Sequence, residues 1–428
     1  MTAGKMRTIV TAPGSLGDVN PLLAIARGLQ AAGHDVLFLA AERYLPLARR
    51  GGLETRCLVS EEQFSRLAGN PQLWHPRHGA RLIFHEAVEH FLADHYQWLE
   101  ENCVPSQTLL VSHVLDFAGR VYRDVHQEVK LVSVLPAPAV LRSHRTPPRL
   151  SGFAWERWIP PGVHRGIYRA ADLWLDRIGG AQINQMRAEL GLPKVHRIFK
   201  SWWCSPDLVL CLFPEWFSID VRDLPPTMKL VGFPLADSGD VVEPQVTAEL
   251  GKLLDGLQQG TAGRERPWVF APGTAHQHAA GFLRTAAAVC EQMRRPGVLL
   301  STAASQLPSP LPPRVVAAGY LPFSQLLPHA AALVHHGGVG TTSQAFRAGV
   351  PQVVLPMAFD QFDNAERVAK LGCGSWFPMD KQSPGRLRRH LAALPRTAAR
   401  VQDIAARVPS QGSVVGRAID LIDSLVGR

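Results

Sequence analysis

Apolar and polar positions along the chain switch between two periods, and the switches mark the elements. Residues 7–12 form a short β-branched run that ends in the loop Pro13-Gly14-Ser15-Leu16-Gly17-Asp18. Beyond it Leu22, Leu23, Ile25, Ala26 and Leu29 fall on roughly one face of a helix that stops at Gly33. The next run, 35–40, is continuously apolar after Asp35, as in a strand buried on both faces of a parallel sheet. Strand, glycine loop, helix and strand in about forty residues is a βαβ unit.

The same grammar restarts late in the chain. Residues 267–271 read as a strand, followed by Pro272-Gly273-Thr274 and a helix to about Met293. Further strands are predicted at 298–301, 315–318, 332–335 and 352–355, and helical spacing covers 397–426. Between the two halves the chain is rich in Gly, Pro and Asp, which suits a linker. The pattern predicts an α/β protein of two Rossmann-like doubly wound domains facing across a cleft. Their bounds are 1–233 and 264–428, with a linker at 234–263 and the final helix packing back on the first domain.

Composition agrees with a folded two-domain chain: 428 residues, 46% hydrophobic and 19% charged. The N-terminus lacks an apolar signal segment, and no stretch reaches the roughly 18 apolar residues of a spanning helix, so the expected location is cytoplasmic. Six cysteines (57, 103, 204, 211, 290 and 373) include no CxxC pair and read as free thiols. The net charge of +9 comes from scattered, mostly Arg side chains without a long basic run. That disfavours nucleic acid and leaves anionic nucleotides, acidic acceptors or lipid headgroups as partners.

The candidate chemistry sits at strand ends. His335-His336-Gly337-Gly338-Val339-Gly340-Thr341-Thr342 follows a strand and opens a helix. Three glycines admit a ligand close to the backbone, and the first helical amides are free for an anion such as a diphosphate. The competing reading is a glycine turn with incidental histidines. Neither GxxxxGK[ST] nor GxGxxG occurs with the right flanks, which disfavours an ATPase or a dinucleotide dehydrogenase. After the next strand come Asp360, Gln361 and Asn364, which parallel topology brings to the same edge. A carboxylate beside amides suits sugar hydroxyls, which both donate and accept; Asn364 as a helix N-cap is the alternative. Asp18, in a glycine-rich loop at the first strand's end, is placed to take a proton from an attacking hydroxyl; a plain helix cap is its alternative. His85-Glu86-Ala87-Val88-Glu89-His90 has one residue too many for HExxH, so its two histidines diverge on a helix and hold no zinc. No metal site is expected.

The run Gly319-Tyr320-Leu321-Pro322, HHGGVGTT, Gly349-Val350-Pro351, Asp360-Gln361 and Asn364-Ala365 resembles the donor signature of GT-B nucleotide-sugar glycosyltransferases, family 1 and family 28-like. GSLGDVNP, Arg197-Ile198-Phe199, Cys211-Leu212-Phe213-Pro214, GVPQVVLP and DQFDNAERVAKLGCG extend the resemblance to the bacterial rhamnosyltransferases of rhamnolipid synthesis. The resemblance implies a metal-independent, inverting hexosyltransferase without a bound cofactor. Its N-terminal domain would bind the acceptor and its C-terminal domain the nucleotide sugar. It puts Tyr320 and Leu321 at the nucleobase, and Thr274, His335, Gly337, Gly338, Val339, Gly340 and Thr341 at the diphosphate. Asp360 and Gln361, with Asn364, fall at the sugar, and Asp18 at the catalytic base. Ser343 stands where plant members carry a ribose-binding Glu, which is compatible with a deoxythymidine-linked donor such as dTDP-rhamnose. Asp116, the partner of the base where the base is His, reads as structural here.

Six of the ten tryptophans lie between 155 and 216, interleaved with arginines. Trp155, Trp158 and Trp202 are therefore candidates for binding a lipidic acceptor such as a hydroxy-fatty-acid dimer. The same segment would equally serve as a peripheral membrane patch, or pack as ordinary core. Three rivals remain: a UDP-sugar glucosyltransferase acting on a sterol, polyketide or other secondary metabolite; a nucleotide-sugar epimerase; and a non-catalytic glycosyltransferase partner.

Overall fold

Apolar strands joined through glycine loops to amphipathic helices have one stable arrangement, a parallel sheet covered on both faces. The computed structural model describes residues 6–75, 78–89, 91–143, 145–146, 149, 161–236, 251–252, 255, 265–273 and 279–427. It divides into two units, Met1–Pro234 with Ser410–Arg428, and Leu235–Pro409.

Among the described residues the first unit has seven strands: β1 (Arg7–Ala12), β2 (Asp35–Ala41), β3 (Glu54–Val59), β4 (Thr108–His113), β5 (Lys130–Leu135), β6 (Leu208–Cys211) and β7 (Met228–Leu230). Their order is β3-β2-β1-β4-β5-β6-β7, every pair parallel. The helices that matter below are α1 (Leu16–Ala31), α2 (Leu92–Asn102), α3 (Phe117–Val125) and α4 (Pro161–Glu189). The second unit holds β8 (Trp268–Ala271), β9 (Gly297–Leu300), β10 (Val315–Ala318), β11 (Ala332–His335), β12 (Gln352–Val354) and β13 (Gly374–Trp376). These are ordered β10-β9-β8-β11-β12-β13, again all parallel. Helices α5 (Ala280–Met293), α6 (Val339–Ala348) and α7 (Gln361–Lys370) belong to it.

The elements that the hydrophobic pattern predicts are found to within a residue or two at most ends; β3 to β7 and β13 are not among those predicted. The C-terminal helical region differs: it is broken into Ala398–Ala406 and α8 (Gln411–Val426). Pro409 cannot continue a helix, and Ser410 caps the new one by accepting from Ser413 N–H at 3.3 Å. The first segment belongs to the second unit and α8 to the first, where Val414, Ala418, Ile419 and Ile422 join the core around α1. His34, in the turn between α1 and β2, ties α8 down: its ring meets Asp423 Oδ1 at 2.8 Å and Thr8 Oγ1 at 3.1 Å.

Each sheet has a place where the connections reverse direction, between β1 and β4 in one and between β8 and β11 in the other. In open parallel sheets the strand ends part there and leave a crevice at the carboxyl edge.

Trp202, a candidate acceptor contact, packs inside the first unit. It is 5% exposed, stacks on Phe117 at 6.4 Å, and donates its indole N–H to Asp124 at 2.7 Å. Asp124 also accepts from Arg120 and Arg187, whose guanidinium groups lie against the same indole. The aromatic and Arg content that suggested a pocket is here a buried ion network that joins α3 to the chain before β6. Trp155 and Trp158 lie outside the described residues.

Burial pushes the Asp124 carboxyl up, but the charges of Arg120 and Arg187 and the Trp202 bond outweigh it and hold it below the ordinary carboxylate range. Its contribution is therefore present above the unfolded carboxylate pKa of about 4 and lost as pH falls through the lower folded value. Asp124→Ala strands two buried cations and is expected to cost about 3–5 kcal/mol. Chemical denaturation at pH 7 measures this, and the deficit should shrink as the pH is lowered below about 4.

Candidate functional site

In the second unit the site is built by the chain leaving β11. His335, the last strand residue, is fully buried. Its Nδ1 accepts the Gly337 N–H at 3.1 Å, so the ring proton is on Nε2, which donates to Gln352 Oε1 at 2.9 Å on β12. Burial, reinforced by His336, pushes this imidazole down to about 3, so it is neutral at ordinary pH. Both nitrogens are thus spent inside the domain, and the expected diphosphate contact from His335 is corrected: it shapes the loop from beneath. The neighbouring His336 turns the other way. Its ring lies against the α-carbons of Gly273, after β8, and Gly338, with β-carbon positions 2.9 Å and 2.6 Å from ring atoms. That puts His336 at the β8/β11 crevice. Thr274, one residue beyond Gly273, lies outside the described residues.

Gly337 has φ +98°, and a side chain there would strike Val354 at 2.7 Å and the Gln361 carbonyl at 3.1 Å. Gly338 caps α6, whose first helical bond is Thr342 N–H to Gly338 O at 3.0 Å. The amides of Val339, Gly340 and Thr341 therefore precede the helical ladder, on a turn that is half-buried to exposed. No acidic residue sits in that turn. Such a turn is suited to an anion, the helix dipole contributing about 0.3–1 kcal/mol per charge and up to about 2 when partly buried. Ser343 points inward, donating to Gly340 O at 2.8 Å. Leu321 is 1% exposed and belongs to the core, so only its backbone could meet a nucleobase. Tyr320 is half-buried where the chain leaves β10, on the same edge.

The Asp360–Asn364 cluster is only partly available. Gln361 Oε1 accepts the N–H groups of Met357 and Ala358 at 2.8 and 3.2 Å, which folds the turn before α7. Asn364 is fully buried within α7, not its cap, and donates to Gly337 O at 2.9 Å and Asp360 Oδ2 at 2.7 Å. The correction is physical: the amide locks the glycine loop to α7 and does not reach outward. Asp360 is half-buried at the helix start. It follows Phe359, whose φ of +56° is unusual for a bulky residue and marks local strain in this turn.

In the first unit Asp18 is the third residue of α1 and not a loop residue or its cap. Ser15 is the cap, and its N–H and hydroxyl meet Asp18 Oδ2 at 2.9 and 3.3 Å, a reciprocal capping box. The carboxylate lies over Gly14, where a β-carbon would come within 2.1 Å of Oδ2. Its other oxygen, Oδ1, is 3.6 Å from Nε2 of His113, the last residue of β4. Sequence reasoning missed His113; the available signal was a histidine closing the apolar run 109–111. Asp116, three residues on, caps α3 by accepting Gly119 N–H at 2.9 Å and the Ser112 hydroxyl at 2.7 Å. Among the described residues no group of three His, Cys, Asp or Glu could hold a metal, and no helix is long and apolar enough to cross a membrane.

With this geometry established, comparison with known proteins gives the fold and a family match. Residues 298–421, which contain β10 to β13, α6 and α7, match the family model described as erythromycin biosynthesis protein CIII-like, C-terminal domain. The O-mycaminosyltylonolide 6-deoxyallosyltransferase of Streptomyces fradiae is 28% identical over 444 residues, covering 96% of this chain and 94% of that one. Among solved structures, the glycotransferase of kitacinnamycin superposes with a TM-score of 0.71 at 20% identity, covering 99% of this chain and 100% of that chain. The spinosyn rhamnosyltransferase SpnG complexed with thymidine diphosphate gives 0.63 at 18% identity, covering 97% and 100%. The fold is GT-B: two Rossmann-like domains, each on a parallel sheet.

Two outcomes follow from the glycine loop. Gly337→Ala is expected to destabilise by about 1–3 kcal/mol through backbone strain, whereas Gly340→Ala, with open space around it, should be near neutral; thermal melts of the two variants separate them. Because the folded His335 titrates far below an unfolded histidine, folding is penalised as pH falls from about 6.5 toward 3. His335→Gln should flatten that part of the stability–pH curve relative to the parent.

Proposed function

We propose that the protein is an inverting glycosyltransferase that moves a sugar from a nucleoside diphosphate to a hydroxyl of an apolar small molecule. The observation that carries this reading is the accessible first turn of α6, with three amides ahead of the helical ladder and His336 beside it. It lies inside the segment that matches the family model, and the full-length relative is by name a deoxysugar transferase.

In this reading the α6 amides and His336 hold the diphosphate, Tyr320 packs on the base and Asp360 accepts from sugar hydroxyls. Asp18 takes the proton of the acceptor hydroxyl as its oxygen attacks the anomeric carbon. The carbon–phosphate oxygen bond breaks on the opposite face, and its electron pair leaves on the diphosphate, which the helix N-terminus stabilises. The anomeric configuration inverts, and the products are the glycoside and a nucleoside diphosphate.

A deoxythymidine donor is favoured. Two solved neighbours, VinC and SpnG, are complexed with thymidine diphosphate, and Ser343, turned onto Gly340, offers no carboxylate to a 2′-hydroxyl. For the acceptor, the matched proteins are named for tylonolide, kitacinnamycin and spinosyn chemistry. A hydroxylated secondary metabolite is therefore favoured over the hydroxy-fatty-acid dimer implied by the rhamnolipid resemblance, and burial of Trp202 removes one support for a lipid pocket.

Calorimetric titration with dTDP, UDP, GDP, ADP and NAD, then turnover of dTDP-rhamnose with a macrolactone aglycone, a sterol or a hydroxy-fatty-acid dimer, tests the assignment. Preferential dTDP binding and donor consumption that requires the aglycone are expected. Failure to bind any nucleotide would remove the enzyme reading, and a UDP preference would move it to the glucosyl alternative. Asp18→Asn should keep donor affinity and lose about 10²–10⁴-fold in kcat.

A further inference from the structure

The residue that faces Asp18 has no role in the reaction as written above, yet its placement is specific. His113 ends β4 on the far side of the switch point from α1, and it is 6% exposed. Its Nδ1 accepts the Leu115 N–H at 3.3 Å. In a neutral ring the proton is therefore on Nε2, the nitrogen 3.6 Å from Asp18 Oδ1. Since Asp18 Oδ2 is engaged by Ser15, the two oxygens of one carboxylate are set from two elements, α1 and β4.

We infer that His113 is a positioning residue for Asp18: as a neutral imidazole it presents Nε2–H to Oδ1 and fixes the carboxylate for proton abstraction. This rests on the glycosyl-transfer reading above. A neutral donor is the suitable partner for a base. A Lys or Arg at this place would stabilise the carboxylate so strongly that it would be a poor proton acceptor, whereas an apolar residue would leave its rotamer and hydration unset. Burial lowers the histidine below its ordinary range, although Asp18 and Asp116 oppose it. The proton taken from the acceptor stays on Asp18, because protonating His113 at Nδ1 would break its bond to the Leu115 N–H. The separation of 3.6 Å is long for a hydrogen bond and is expected to close when substrate excludes water.

The other titratable groups around the pair are accounted for. Asp116 acts on His113 from the β4–α3 turn, but both its oxygens are bonded to Ser112 and Gly119. His95 approaches Asp116 from α2 at 3.6 Å, and Tyr44 lies near Asp18 from the segment after β2.

The test uses His113→Ala and His113→Gln, the latter carrying an amide N–H in place of Nε2–H, with dTDP-rhamnose and a macrolactone aglycone. His113→Ala is expected to lower kcat about tenfold or more, less than Asp18→Asn, with donor KM unchanged. The acidic limb of its kcat/KM profile should move up by about half a pH unit to one unit, and His113→Gln should restore most of the rate. Nitrogen-15 NMR of the unmodified protein gives an independent measure that does not need the variants to fold: His113 should be the Nε2–H tautomer at pH 7. An unchanged rate and pH limb in His113→Ala, with Asp18→Asn inactive, would overturn this inference alone, as would an Nδ1–H tautomer or an imidazolium. A parent enzyme that transfers sugar from no donor would instead sink the reading beneath it.

Discussion

The N–H and carbonyl of Gly337 are both held from below, which sets the start of α6, and the partner for the N–H is a histidine that burial keeps neutral at ordinary pH. His335 accepts that N–H on Nδ1 and passes its own proton to Gln352 on the next strand, while Asn364 of α7 takes the Gly337 carbonyl. The loop is thus clamped to β12 and α7 at once. Burial keeps the imidazole neutral; an imidazolium would present a second N–H to the Gly337 amide and push the loop off. The helix amides stay aimed outward because no flexible side chain has to hold them there. Such preorganisation is what makes a fixed dipole useful to a leaving diphosphate, since nothing needs to reorient as charge develops.

How much of this was legible in the sequence follows from how local each feature is. Strands β3 to β7 and β13 were not singled out; β1, β2 and β8 to β12 were legible, because a continuous apolar run between glycine turns has few alternatives. The glycine loop was as well, since Gly337 and Gly338 must meet a helix start. Which of two adjacent histidines turns into the domain was not. The strand pleat sends His335 and His336 to opposite sides, and the inward choice is decided by Gln352, 17 residues away. The same holds for Asn364 and Gln361, whose amides look like ligand contacts in sequence and are consumed by backbone groups of the loop. The packing of Trp202 was hidden for a related reason: arginines near an indole read as an anion pocket until Asp124 is found bonded to the indole and to both guanidinium groups.

Asp18 shows the opposite case. Its local role, third residue in a capping box with Ser15, is written in four consecutive residues. Its non-local partner, His113, lies 95 positions on, and only the strand order β2-β1-β4 brings it near. A capping carboxylate is usually satisfied by its own helix; this one keeps an oxygen turned toward the strand across the switch point and is 29% exposed there. Local satisfaction and chemical availability do not compete at this position, because the carboxylate has two oxygens and the helix uses one.

The two units place a histidine at the same structural position. His113 ends β4 and His335 ends β11, the strands beyond each switch point, and each accepts on Nδ1 the N–H two residues further on. That shared turn fixes the same tautomer in both and sends Nε2–H along the sheet edge. What differs is the group that Nε2 meets. In the second unit it is the neutral amide of Gln352, sealed from solvent, and the histidine is part of the scaffold. In the first it is the partly exposed carboxylate of Asp18 at the crevice, the group proposed to take the acceptor's proton. One backbone device therefore yields a loop clamp in one sheet and a support for proton transfer in the other, and the residue opposite Nε2 decides between them.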